Sequence, residues 1–195
     1  MRRSIRWDLA ISDDNLSFPE AASTFACALD VPVSDEETPF LYQILRRTIV
    51  DVGLSTYPAK FAYKVHRPFM VNEEPLCVPD QREHLEKNWS YPSGHTAIGW
   101  AWALILTEIA PERANEILAR GLAFGESRAI CNLHWYSDIM WGRVMAAAVV
   151  ARLQADPLFR HDMEHARAEI AAVREKGLKP TIDCAAEAKA LSIKP

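Results

Sequence analysis

The chain has 195 residues, 49% of them hydrophobic and 25% charged, with 22 Lys and Arg against 26 Asp and Glu for a formal net charge of −4. That length suits one domain able to build its own core, and the mild acidity argues against nucleic acid or an anionic membrane surface as partner, since each phosphate contact calls for a cation. Seven glycines are few for turn-rich sandwiches or barrels, and no apolar run reaches the ~18 residues of a membrane span.

In chain order, Met1-Arg2-Arg3 resembles the basic start of a signal peptide, but Asp8, Asp13 and Asp14 arrive before any apolar stretch, so no signal peptide is read in the sequence. Residues 1–33 are expected to hold partial N-terminal helices. Phe40, Leu41, Ile44, Leu45 and Ile49 follow helical spacing, with Thr38 as N-cap. Residues 51–66 read as a second helix, kinked at Pro58 and ended near Arg67, because Pro68 disfavours helical backbone in the residue before it. Residues 69–91 form a long polar connection punctuated by Pro75 and Pro79, a length that usually marks a functional loop.

Residues 96–110 are apolar almost all round and predict a buried central helix. Pro111 breaks it, and residues 112–124 resume as helix. Residues 135–153 are apolar again, and residues 158–176 predict a charged, amphipathic outer helix. Residues 177–195 form a tail without strong pattern. The expected fold is all-α: a compact multi-helix bundle with two central buried helices, and a single domain over 1–195. Four cysteines, Cys27, Cys77, Cys131 and Cys184, allow two disulfides in three connectivities, with free buried thiols as the alternative.

Three clusters carry chemistry. Lys60 and Arg67-Pro68 are two helical turns apart, so both cations share one side if the segment is helical. Pro92-Ser93-Gly94-His95 precedes the buried helix, where free backbone N–H groups and the positive dipole end make an anion site. Ser127-Arg128 is followed by His134 and Asp138, four residues apart. A carboxylate there can accept from Nδ1–H, leaving Nε2 unprotonated as nucleophile or base.

Each cluster alone reads as a turn or a solvated helix face. The ordered combination is specific and resembles the bacterial class A non-specific acid phosphatases, in the type 2 phosphatidic acid phosphatase superfamily that also contains vanadium haloperoxidases. The resemblance is carried by Lys60, Arg67, Pro68, Pro92 to His95, Ser127, Arg128, His134 and Asp138. The stretches Ser90-Tyr91-Pro92-Ser93-Gly94-His95-Thr96, Gly125-Glu126-Ser127-Arg128 and His134-Trp135-Tyr136-Ser137-Asp138 narrow it.

The resemblance implies a metal-independent, cofactor-free phosphatase acting on many small phosphomonoesters. In that scheme His134 forms a phosphohistidine oriented by Asp138, and His95 serves as general acid and then base. Lys60, Arg67, Arg128, Ser93 and the Gly94 N–H hold the phosphoryl oxygens. It further implies inhibition by vanadate, a phosphotransferase side activity, homo-oligomers and a periplasmic or secreted location. The alternatives are a vanadate-dependent haloperoxidase, a branch with much longer chains, and a non-catalytic phosphate-binding module.

Against the family pattern the chain starts late, without a proline-rich leader. Trp89 stands where a glycine is expected and could narrow the cleft or stack on a substrate ring. Asn132-Leu133 replaces a small, glycine-containing pair. His161 and His165 have metal-capable spacing but no third ligand in view, and read as a solvated face. His66 and His84 are expected at the surface, and Trp100, Trp102, Trp135 and Trp141 in the core.

Overall fold

A computed structural model describes residues 4–193, so the basic start at residues 1–3 and the last two residues of the tail lie outside the described residues. In chain order the helices are α1 (Ile5–Ser12), α2 (Ala26–Leu29), α3 (Pro39–Ser55), α4 (Tyr57–Tyr63), α5 (Arg82–Glu86), α6 (Gly94–Ile109), α7 (Ala114–Ile130), α8 (Tyr136–Gln154), α9 (Pro157–Glu175) and α10 (Cys184–Leu191), with short 3-10 turns between some of them. No strand occurs among the described residues, and the all-α expectation is met.

The central helix is α6, packed against α7, α8 and α3. It starts where Ser93 caps it, its Oγ accepting from Thr96 N–H at 3.2 Å, and it ends before Pro111. Trp102 is fully buried at its middle and donates from Nε1 to the Leu45 carbonyl at 3.0 Å. The closeness of these helices depends on missing side chains. A Cβ on Gly99 would meet the Phe124 ring at 2.2 Å, and one on Gly142 would meet the Ser93 carbonyl oxygen at 2.7 Å. α8 therefore crosses the start of α6 with its backbone against the Ser93 turn.

Several boundaries differ from the sequence reading. Residues 39–55 are one helix, because nothing between Ile49 and Asp51 breaks the backbone ladder, and the break falls at Thr56. Thr38 occupies the N-cap position, but its hydroxyl donates back to the Ser34 carbonyl. The first N–H groups of α3 go instead to the Glu169 carboxylate of α9, at 2.9 and 3.0 Å. α7 runs past Phe124 to Ile130 and so carries Ser127 and Arg128. The tail holds α10, capped by Asp183 and tied to α2 by the Cys27–Cys184 disulfide. The second disulfide joins Cys77 of the long connection to Cys131 at the end of α7.

α8 buries one face only, through Asp138, Ile139, Gly142, Ala146 and Val150. Trp135 and Trp141 consequently lie 38% and 50% exposed rather than in the core. Trp135 satisfies its indole N–H on the His66 carbonyl at 2.8 Å.

Candidate active site

Four segments far apart in sequence meet at the start of α6. Lys60 enters from α4 and is buried, its Nζ donating to the Trp89 carbonyl at 2.7 Å and the Ser90 carbonyl at 3.1 Å. Arg67 is not on that helix. α4 stops at Tyr63, Lys64 adopts left-handed backbone (φ 49°), and Arg67 is extended (ψ 152°), as Pro68 requires. The two cations reach one site because the chain turns between them, not through helical periodicity.

Arg67 is held from two sides. Its Nε faces the carbonyls of Leu85 and Asn88, each at 3.2 Å, and its Nη1 faces the Leu133 carbonyl at 3.2 Å and His134 Nε2 at 3.0 Å. A guanidinium only donates, so His134 Nε2 is the acceptor and the proton sits on Nδ1. That Nδ1 lies 3.3 Å from Asp138 Oδ2. Asp138 is the third residue of α8, where its Oδ2 also caps the helix by accepting from Trp135 N–H at 2.9 Å. Ser90 Oγ donates to the same oxygen at 2.5 Å. One carboxylate thus starts a helix and fixes an imidazole tautomer.

Ser93 is wholly buried, and its Oγ accepts from both the N–H and the hydroxyl of Thr96. Its backbone N–H donates to the Asp138 carbonyl at 3.0 Å, locking the turn to α8. A Cβ at Gly94 would find only ordinary contact, with Thr56 Oγ1 at 3.6 Å. The value of glycine there is the open approach to the helix start. Arg128 is fully buried near the end of α7, donating to Asp14 Oδ1 at 2.5 Å and the Ala10 carbonyl at 2.7 Å, while its Nε has no partner among the described residues. His95 is the open member of the group, its side chain 31% exposed, with Nε2 at 2.9 Å from the Asp14 carbonyl.

Burial, reinforced by Arg67, lowers the Lys60 ammonium to about 7. Burial also brings Arg67 down to about 10, against the pull of Asp138. Burial first, then the surrounding cations, holds His134 well below the usual histidine range, so it stays neutral under mildly acidic conditions with Nε2 unprotonated. Burial and Arg128 lower His95 to about 4, opposed by Asp14. Burial raises Asp138, with the Ser90 and Trp135 hydrogen bonds opposing.

The structure thus brings together every residue singled out at the three clusters: Lys60, Arg67, Ser93, Gly94, His95, Arg128, His134 and Asp138. Sequence reasoning missed Ser90 as a partner of Asp138. It also missed Asp13 and Asp14, which follow α1; Asp13 pairs with Arg120 at 2.5 Å and accepts from Ser127 Oγ at 2.6 Å. Asn132 adopts left-handed backbone (φ 60°), which explains why glycine or asparagine suits the position. Trp89 offers the site its carbonyl, while its ring packs edge-on against His66 at 5.6 Å. His161 and His165 lie outside the site, their Nε2 atoms 3.1 Å apart on the exposed side of α9.

An all-helical bundle that gathers cations, a helix start and an imidazole–carboxylate pair at one point is built to handle a small oxyanion. Residues 40–159 match the PAP2 superfamily. Over 180 residues the chain is 39% identical to an acid phosphatase of Zymomonas mobilis subsp. mobilis, covering 92% of this chain and 68% of the relative. It is 39% identical over 176 residues to a non-specific acid phosphatase of Providencia stuartii (90% and 71% covered). It is 38% identical over 171 residues to one of Salmonella typhimurium (87% and 68% covered). The chain belongs to the PAP2 superfamily, among its bacterial non-specific acid phosphatases, which are phosphoric monoester hydrolases.

Proposed function

We propose that the protein hydrolyses a broad range of small phosphomonoesters without a metal, through a phosphohistidine on His134. The observation that carries this reading is the line from Arg67 Nη1 through the His134 ring to Asp138 Oδ2, which keeps Nε2 unprotonated, its lone pair released for attack when Arg67 turns its N–H to a phosphoryl oxygen. Nε2 attacks phosphorus as the ester P–O bond breaks, and His95, neutral in the free protein but protonated once the bound phosphoryl dianion raises its pKa, gives the leaving oxygen its proton. A water then attacks the phosphohistidine, His95 takes the water's proton, and the P–N electron pair returns to Nε2.

Lys60, Arg67 and Arg128 neutralise the three phosphoryl oxygens, with Ser93 Oγ–H and the Gly94 N–H as further donors. Ser93 Oγ already accepts two hydrogen bonds from Thr96, so its own proton is the group left to point at phosphate. An alcohol in place of water would give phosphotransfer. We place 1–195 in a single domain acting outside the cytoplasm, supported by two disulfides. No helix among the described residues is long and apolar enough to cross a membrane.

The test is hydrolysis of p-nitrophenyl phosphate at pH 5 to 6 with EDTA present, comparing the wild type with His134→Ala. Turnover that survives the substitution overturns the nucleophile, and turnover abolished by EDTA overturns metal independence. Denaturation of wild-type protein under turnover in alkali should trap an alkali-stable, acid-labile phosphoryl group absent from His134→Ala.

A further inference from the structure

Resting on the reading of this site as a phosphate site, we propose that Asp14 is an internal anion that competes with the phosphoryl group for Arg128 and His95, and so sets the enzyme's affinity for substrate and product.

Asp14 lies 81 residues before His95 and just past the end of α1, yet its carboxylate is at the centre of the cation cluster. Its Oδ1 accepts from Arg128 Nη1 at 2.5 Å and lies 3.8 Å from His95 Nε2, while its backbone carbonyl is 2.9 Å from that same nitrogen. Its Oδ2 accepts from Gln81 Nε2, at 2.5 Å, across from the long connection. The carboxylate therefore rests on one of the three cations assigned to the phosphoryl group and beside the assigned acid. A phosphoryl dianion and a carboxylate held by the same guanidinium repel each other.

The charged groups around Asp14 leave no doubt of its role as an anion. Arg128 faces it from α7, His95 from α6, and Arg67 feels its charge from the extended segment after α4. Burial raises its pKa, but Arg128, His95 and the Gln81 hydrogen bond outweigh that and hold it below the ordinary carboxylate range. It is ionised throughout the mildly acidic range in which the enzyme is expected to work.

The neighbouring residue fixes the backbone around Asp14. Asp13 is buried against Arg120 and Ser127, and Arg6 ties α1 to Ser127 Oγ and the Ala123 carbonyl, each at 2.9 Å. The backbone of this segment is therefore anchored by its other side chains. Exchange of the carboxylate for phosphate on Arg128 therefore concerns the Asp14 side chain and not the backbone of α1.

The experiment compares wild type with Asp14→Asn, Asp14→Ala and Gln81→Ala, measuring KM and kcat for p-nitrophenyl phosphate, the inhibition constant of inorganic phosphate, and Tm. With the competitor removed, KM and the phosphate constant should both fall about tenfold. The exposed Gln81→Ala, which only loosens the carboxylate, should lower both by a smaller factor. Phosphate binding that is unchanged or weaker in Asp14→Asn overturns the proposal, as does a fall in kcat with KM unchanged, the mark of a residue that only positions His95. If neither Asp14 variant folds, an unchanged phosphate constant in Gln81→Ala overturns it instead. Wild-type protein that neither binds phosphate nor turns over the ester would remove the underlying site reading, a separate outcome seen before any variant is made.

Discussion

Ser90 Oγ sits 2.5 Å from Asp138 Oδ2 and 3.3 Å from His134 Nδ1, so a single hydroxyl touches both members of the imidazole–carboxylate pair. Its proton goes to the carboxylate, which stabilises the ionised form that burial works against. Ser90→Ala removes that donor and leaves the Trp135 N–H and the imidazole as the partners of Oδ2. The expected result is a fall of about tenfold in kcat, less than the loss of a proton-transfer group because the nucleophile itself stays, with KM near wild type. Steady-state kinetics on p-nitrophenyl phosphate checks it, and Ser90→Thr should restore part of the loss because it returns the hydroxyl.

Gly142 tests how tightly the phosphate turn is clamped. A Cβ there would lie 2.7 Å from the Ser93 carbonyl oxygen and 3.1 Å from Thr96 Cβ. The Ser93 carbonyl is backbone at the start of α6, and the neighbouring Ser93 N–H is fixed to Asp138. The contact can be relieved only by moving α8 away from α6 or by tilting the turn. Gly142→Ala should cost about 1 to 3 kcal/mol of stability, the usual range for overpacking a fitted contact. It should also weaken phosphate inhibition, since the displaced atoms belong to the anion site. A thermal melt with and without phosphate separates the two effects: Tm falls, and the protection given by phosphate shrinks.

Lys60 sets the alkaline limit of anion binding. Burial and Arg67 lower its ammonium to about 7, so the cation is present at pH 5 to 6 and disappears from the free protein as pH rises through neutrality. An anion that needs the charged form must then drive proton uptake, and its affinity should fall by up to tenfold for each unit of pH above that point. Sulfate is the suitable probe because its own charge is constant there, and both site histidines, with lowered pKa values, are already neutral. Calorimetric sulfate titrations from pH 5.5 to 8.5 should show the inflection near 7 in wild type and lose it in Lys60→Arg.

The parts of the fold and site that were legible in the sequence were those with a local signal. α6 was legible because an apolar run is bracketed by a Ser-Gly turn and a proline. His134 and Asp138 were legible because both sit within one turn of the helix start that Asp138 itself caps. Lys60 and Arg67 were rightly paired for the wrong reason, since left-handed backbone at Lys64 brings them together where helical periodicity was assumed. α10 left no local pattern because it is held from outside, by Cys27 and by Glu187 on Arg120 at 3.3 Å. Ser90 and Asp14 act only through partners 44 to 114 residues away, a relation that no spacing rule reports. The exposure of Trp141 was unreadable for the converse reason: an apolar helix looks the same in sequence whether one face or both are covered.

The two disulfides offer the last test, because they should separate stability from site geometry. Cys77–Cys131 closes 54 residues, and Cys27–Cys184 closes 157. By loop entropy alone these are worth about 4 and 5 kcal/mol, so both double alanine variants should melt well below wild type. Their effects on the site should differ. Cys77 belongs to the long connection whose Leu85 and Asn88 carbonyls hold Arg67 Nε, and Cys131 adjoins Asn132, which donates to Asn72 Oδ1 and the Glu74 carbonyl, each at 2.8 Å. Loosening that connection frees Arg67 and the turn that leads into His134. Cys27 and Cys184 instead join α2 to α10, elements that supply none of the residues assigned to the phosphate. At a temperature well below both melting points, Cys77→Ala/Cys131→Ala should raise the phosphate inhibition constant severalfold, whereas Cys27→Ala/Cys184→Ala should leave it at the wild-type value. Equal phosphate constants in the two variants would mean that Arg67 is held by its own carbonyl contacts without help from the disulfide behind them.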